Sequence, residues 1–202
     1  MQDIFPFWKD VPVNSLKSVE IFYEGYFKDK PRPTYNDKEV KLLVVEHVLP
    51  EILAWLNDVK DSDNDKEEIT KNLLEVIENH EDGYYMAKRL DDDEGWDCDS
   101  NLVEILDNLD FYNVKNKLTS MWIKDNNIKP LFKVGDKVRV KSSDIDKDRR
   151  SKEFYDGEII DVNFACGSYT VCIKELGHIQ KGTGTHGNSI DWEKIEAVSK
   201  GK

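Results

Sequence analysis

The chain has little that would mark an enzyme, a secreted disulfide scaffold or a membrane protein. Of its 202 residues only three are cysteine, at 98, 166 and 172. That is an odd count at no disulfide-framework spacing, so a reducing cytoplasm is the expected compartment. No apolar run approaches the length of a membrane span; the longest apolar-rich stretch, Val40 to Leu56, is broken by Lys41, Glu46, His47, Pro50 and Glu51. The N-terminal MQDIFPFWKD lacks a basic n-region and a small-residue cleavage site, so no signal peptide is expected. Apolar residues make up only 39%, while charged residues reach 35%, well above the usual quarter. Basic residues are scarce in one part of the chain. Residues 1–130 carry 29 Asp/Glu against 16 Lys/Arg, whereas residues 131–202 carry 12 against 13. The net charge of −12 therefore belongs to the first part, where it disfavours contact with a nucleic-acid backbone and favours a basic partner.

What is present changes character at the same border. Before Pro130 apolar residues recur at helical spacing. After an aromatic lead-in, Met1 to Asn14, a first helix is expected from Ser15 to about Lys28, with Leu16, Val19, Phe22, Tyr23, Tyr26 and Phe27 on its apolar stripe. A second, capped by Asn36 or Asp37, is apolar on most sides and should be central, with a kink or a fresh start at Pro50. A third carries Ile69, Leu73, Leu74 and Ile77, and a short one runs from Gly83 to Leu90. Asp99 or Ser100 caps a fifth, and the last spans about Tyr112 to Asp125. Two acidic loops are expected between them, Asp58 to Glu68 and Asp91 to Asp99.

From Phe132 the period becomes two. Strands are expected over Lys137–Lys141, Gly157–Phe164 and Tyr169–Lys174, then a Gly-rich loop from Gly177 to Asn188, then closing strands from Ile190 to Val198. The fold class expected is α+β: an acidic helical domain over 1–130 followed by a small β domain over 131–202. The stretch Lys133 to Val140 (KVGDKVRV), with Gly157-Glu158-Ile159-Ile160-Asp161-Val162 and Tyr169-Thr170-Val171, resembles a small SH3-like barrel of the Tudor or KOW type. That resemblance implies a module that binds peptides, methylated side chains, RNA or other subunits, without choosing among them.

Each candidate chemistry has an ordinary counterpart. Cys166, Cys172, His178 and His186 are spaced too widely for a zinc knuckle, and Cys166 and Cys172 read as core residues near a hairpin. Asp61, Asp63 and Asp65 alternate as in a calcium loop, but Lys66 and Asn72 stand where glycine and glutamate are needed. A cage for a methylated cation would need Phe154, Tyr155, Phe164, Tyr169 and Trp192 to converge. The segment Lys181, Gly182, Thr183, Gly184, Thr185, His186 could hold an anion on its amides, yet it lacks the G-x-x-x-x-G-K-[ST] order and a following helix. His47 on its apolar helix face reads as a core histidine. No nucleophile motif is present, and no metal or cofactor is called for.

The leading expectation is a non-enzymatic binding protein. Its helical carboxylates Asp58, Asp61, Asp63, Asp65, Glu67, Glu68, Asp91, Asp92, Asp93 and Glu94 would dock on a basic surface. In its sharpest form they stand in for phosphates, as in a phage or mobile-element inhibitor of a nucleic-acid-binding host enzyme. One alternative has the β domain touch RNA or DNA through Lys137, Arg139, Lys141 and Arg149-Arg150. Another is an enzyme built on the 182–187 loop and His186.

Overall fold

The computed structural model describes residues 25–59, 66–145, 152–177, 180–181, 184–185 and 187–198. The aromatic lead-in and most of the first expected helix lie outside them; the described end of that helix, Gly25–Asp29, forms turns. Five helices follow: α1 (Lys38–Val59), α2 (Lys66–Val76), α3 (Gly83–Glu94), α4 (Ser100–Asp107) and α5 (Phe111–Asp125). The strands are β1 (Lys137–Lys141), β2 (Phe154–Asn163), β3 (Ser168–Cys172), β4 (Gln180–Lys181), β5 (Gly184–Thr185), β6 (Asn188–Asp191) and β7 (Ile195–Ala197). The chain is thus α+β. No described helix is long and apolar enough to cross a membrane.

Two compact units result. The first holds Tyr26 and Pro31–Leu118; the second holds Phe27–Lys30 and the described residues from Thr119 onward. In the first, α1 is the central helix because apolar residues occupy almost every turn: Val40, Val44, Val45, Ile52 and Trp55 are all buried. Pro50 does not restart it; one helix runs through. Pro50 lies on the exposed side, where the Glu46 carbonyl that loses its i+4 donor can turn to water. His47 shares that exposed side and is not a core histidine. Asp37 starts the helix by accepting Lys41 N–H on its carbonyl (3.0 Å), while its carboxylate turns back to Thr34.

Helices α2, α3 and α4 are shorter and amphipathic, each burying one stripe: Ile69, Leu73 and Val76; Met86, Ala87 and Leu90; Leu102 and Leu106. α3 and α4 meet closely because Gly83 has no side chain. A Cβ there would lie 2.2 Å from the Val103 carbonyl oxygen.

In the second unit, β1, β2, β3 and β6 form an antiparallel meander, and β7 returns beside β1, giving the order β6-β3-β2-β1-β7. β6 and β7 therefore sit at opposite edges, yet only the 3-10 turn Trp192–Lys194 joins them. A flat five-stranded sheet would hold its edge strands roughly 19 Å apart. A turn of that length, at about 2 Å per residue, covers less than half of this. The sheet must curl until its edges approach. Inside the curl lie Val138, Val140, Ile159, Tyr169, Val171 and Trp192, with Ile123, Ile128 and Phe132 packed against them. The expected likeness to an SH3-like barrel goes no further here than a curled antiparallel sheet. β2 begins at Phe154, three residues before the expected start, because Phe154–Glu158 pairs along all of β1. The Gly-rich loop contains the small β4–β5 hairpin.

The tight α3–α4 approach makes a direct prediction. Gly83→Ala should destabilise the chain by about 1–3 kcal/mol, since the two nearest atoms in the way, the Val103 carbonyl oxygen and the Asp107 nitrogen, are backbone. Urea unfolding checks it; a change below about 0.5 kcal/mol would show that the contact yields freely.

Candidate functional site

The acidic run Asp91-Asp92-Asp93-Glu94 is not a loop. It is the last turn of α3. The helix starts at Asp82, whose carboxylate accepts Tyr85 N–H at 3.0 Å. It continues through Leu90, which is fully buried, and so carries the next four residues with it. It stops at Gly95, which takes a left-handed conformation (φ 69°) and donates its N–H to the Asp91 carbonyl at 3.2 Å. The expectation of a loop failed because acidic residues next to a glycine are also what a disordered connection looks like. Here the glycine is a helix cap.

The chain beyond the cap is pinned. Trp96 is buried and stacks on Trp55 of α1, with ring centroids 6.2 Å apart and planes 17° from parallel. The Trp55 indole N–H donates to Asp99 Oδ1 at 2.9 Å. The same oxygen accepts the N–H groups of Asn101 (2.9 Å) and Leu102 (3.0 Å), which caps α4. The Leu102 N–H bond, with further help from Trp55 and Asn101, holds the Asp99 carboxyl below its ordinary value. One carboxylate thus ties α1 to α4 and fixes the segment that follows the acidic turn.

That turn holds its charge without an ion pair, although exposed Lys88 stands one turn earlier on the helix. The C-terminal end of a helix carries partial negative charge, and like charges on one turn repel; each exposed anion there costs about 0.3–1 kcal/mol. α3 has no basic residue in its last turn. Among the described residues none of Asp91, Asp92, Asp93, Glu94 or Asp97 makes an ion pair. Asp91, Asp92 and Asp93 are exposed, and Glu94 is half-buried. Glu67 and Glu68 differ in kind. They are exposed in the first turn of α2, where the macrodipole favours an anion, so local stability accounts for them. Asp58 closes α1, and Asp61, Asp63 and Asp65 lie outside the described residues.

The second unit handles charge in the opposite way. The β1–β2 register sets Lys137 opposite Glu158 and Arg139 opposite Asp156, and both pairs close, the latter at 2.9 Å. Arg139 and Lys137 hold the carboxyls of Asp156 and Glu158 below the ordinary range. Lys152 meets Glu175, and Lys194 meets Asp191 at 2.9 Å. Lys137 and Arg139 therefore present no bare cationic row. Lys141 is exposed, and Arg149 and Arg150 lie outside the described residues.

The remaining candidates separate. Lys181 and Gly184 pair across the β4–β5 hairpin, as do Gln180 and Thr185, so this backbone is committed to a ladder; Gly182, Thr183 and His186 lie outside the described residues. Tyr155, Tyr169 and Trp192 are buried in the sheet core, so these rings line no open cage, and Phe164 stands edge-on to Trp192. Cys172 is buried and Cys166 half-buried, its sulfur 3.1 Å from the Ser168 hydroxyl. Sequence reasoning missed the exposed tyrosines of the first unit, Tyr84, Tyr85 and Tyr112, each about 60% exposed. The signal was there: with Gly83, Met86, Ala87 and Leu90 on the inner stripe, helical spacing puts Tyr84, Tyr85, Asp91 and Asp92 outside. Compared with known protein families, curated proteins and solved structures, the chain shows no match.

The Asp99 junction titrates with a definite sign. A carboxyl held below its ordinary value of 3.8 contributes stability that is complete above that value and lost as pH falls through the folded-state one. Acid titration of tryptophan fluorescence should therefore show a transition below pH 3.8, and Asp99→Ala should remove it. A transition unchanged in that variant would break the assignment.

Proposed function

We propose that this chain is a binding protein without catalysis of its own, whose helical unit docks on a basic partner surface through carboxylates held on rigid helices. The observation that carries the reading is the acidic turn of α3: four acidic residues at the unfavourable end of a capped helix, with no basic residue in that turn and no ion pair among the described residues. Chain stability alone would favour a lysine or arginine in that turn. A partner that supplies the missing cations supplies a reason for its absence. In the sharper form of the proposal the carboxylates stand in for nucleic-acid phosphates and occupy a basic groove, as an inhibitor from a phage or mobile element would. The sheet unit, an SH3-like barrel in this reading, provides a second contact. Direct nucleic-acid binding through β1 is the weaker reading, because Lys137 and Arg139 are already spent on Glu158 and Asp156.

The proposal couples stability to function with opposite signs. Reversing Asp91, Asp92 and Asp93 to lysine should raise stability, by about 1 kcal/mol in total, in thermal or urea unfolding. The same variant should lose the proteins that the wild type captures from its native host. Raising salt from about 0.1 M to about 1 M, which shortens the screening length from roughly 10 Å to 3 Å, should release them from the wild type. Capture that survives both the reversal and the salt would end the proposal.

A further inference from the structure

The outer face of α3 carries two kinds of cation acceptor, and the described residues serve neither. At about 3.6 residues per turn, Tyr84, Tyr85, Lys88, Asp91 and Asp92 fall within about 120° of arc, opposite the buried stripe of Met86, Ala87 and Leu90. All five are exposed. Tyr84 and Tyr85 meet edge to face, with ring centroids 5.6 Å apart and planes at 77°, and they remain 60% and 59% exposed. Elsewhere the chain lays a lysine over an aromatic ring: Lys30 Nζ lies 5.8 Å from the Phe27 centroid, and Lys115 Nζ lies 5.5 Å from that of Tyr35. Among the described residues no cation lies over Tyr84 or Tyr85. The carboxylates of Asp91 and Asp92, also without an ion pair, stand two turns further along, about 10 Å away. A ring attracts a cation through its quadrupole and a carboxylate through its full charge, so the two observations are independent.

One partner group satisfies both. A guanidinium is planar and weakly hydrated, stacks on aromatic rings and pairs side-on with a carboxylate; an ammonium keeps its water and acts as a point charge. Lys88 lies between the rings and the carboxylates and repels a cation placed there, so the complementary surface is divided in two. We propose that this face of α3 docks on a protein that presents two arginine side chains about 10 Å apart, one seated on the Tyr84–Tyr85 rings and the other on Asp91 and Asp92. The inference rests on the reading of the helical unit as a docking surface. It makes the tyrosine pair an anchor of that surface, a role in which tyrosine and arginine are both enriched at interfaces. The rings add a preference for arginine over lysine that carboxylates alone do not supply.

The test uses the full chain, labelled with ¹⁵N and titrated at low salt with the acetylated, amidated peptide Arg-Gly-Gly-Arg, whose extended form sets its two arginines about 10 Å apart. The lysine peptide Lys-Gly-Gly-Lys carries the same charge, and the citrulline peptide carries none. Saturable shifts are expected at the amides of Tyr85, Lys88 and Asp92 with the arginine peptide. The lysine peptide should bind about two- to fivefold more weakly, and the citrulline peptide should give no response. Tyr84→Leu with Tyr85→Leu, at exposed positions, should bring the arginine peptide down to the lysine value and leave the lysine peptide unchanged. Asp91→Asn with Asp92→Asn should weaken both. No saturable shift at these amides, equal binding of the arginine and lysine peptides, or an arginine preference that survives the tyrosine change would each overturn the assignment. Any of these alongside salt-sensitive partner capture would remove the arginine face and leave the docking reading standing. Salt-insensitive capture would remove the docking reading itself.

Discussion

A single hydrogen bond, from the Trp55 indole to the Asp99 carboxylate, decides where the acidic turn of α3 can be. Trp55 belongs to the buried central helix, Asp99 caps α4, and the Trp55–Trp96 stack lies between them. Gly95 and Trp96 follow the acidic turn directly, so its end is fixed through a buried ring. Without that junction, four anions against the negative end of a helix would fray it. With it, the cost of repulsion is met by burial of two tryptophans, each worth several times an exposed charge interaction. Rigid presentation of uncompensated charge is the constraint from which the functional reading follows.

The two units show what the same residue types do in different frames. In the antiparallel sheet, register sets Lys137 and Arg139 directly across from Glu158 and Asp156, and cross-strand neighbours neutralise one another. On α3, neighbours along the chain fan out around the helix: Asp91, Asp92 and Asp93 are exposed, Glu94 is half-buried, and none of the four makes an ion pair among the described residues. Composition assigns the negative charge to the first part of the chain, but only geometry shows which carboxylates there are left without an ion pair. The helical unit does pair other anions, Glu78 with Lys41, Glu75 with Lys71 and Glu81 with Arg89, and Arg89 also donates to the Val76 carbonyl at the end of α2.

Much of the architecture was legible because periodicity carried it. The stripes of α2, α4 and α5 and the alternation of β1 each report burial on one face, and the structure follows them. Reading faltered where one residue type serves two purposes. Gly95 after four acidic residues resembles a loop in sequence; its positive φ makes it a cap. Pro50 suggests a break, but on the exposed side of a helix the missing N–H costs little because the freed carbonyl reaches water. His47 reads as a core residue in sequence because α1 is apolar nearly all round, and that breadth leaves the histidine's side ambiguous.

The central claim is that negative potential is concentrated on the helical unit and cancelled on the sheet unit. Residue-by-residue surface potentials, obtained from the relaxation of amide protons by a cationic and an anionic nitroxide probe, measure this directly in the intact chain. The account predicts strongly negative potentials along Gly83–Asp97 and near-neutral ones along β1 and β2. Equal potentials over the two stretches would contradict it.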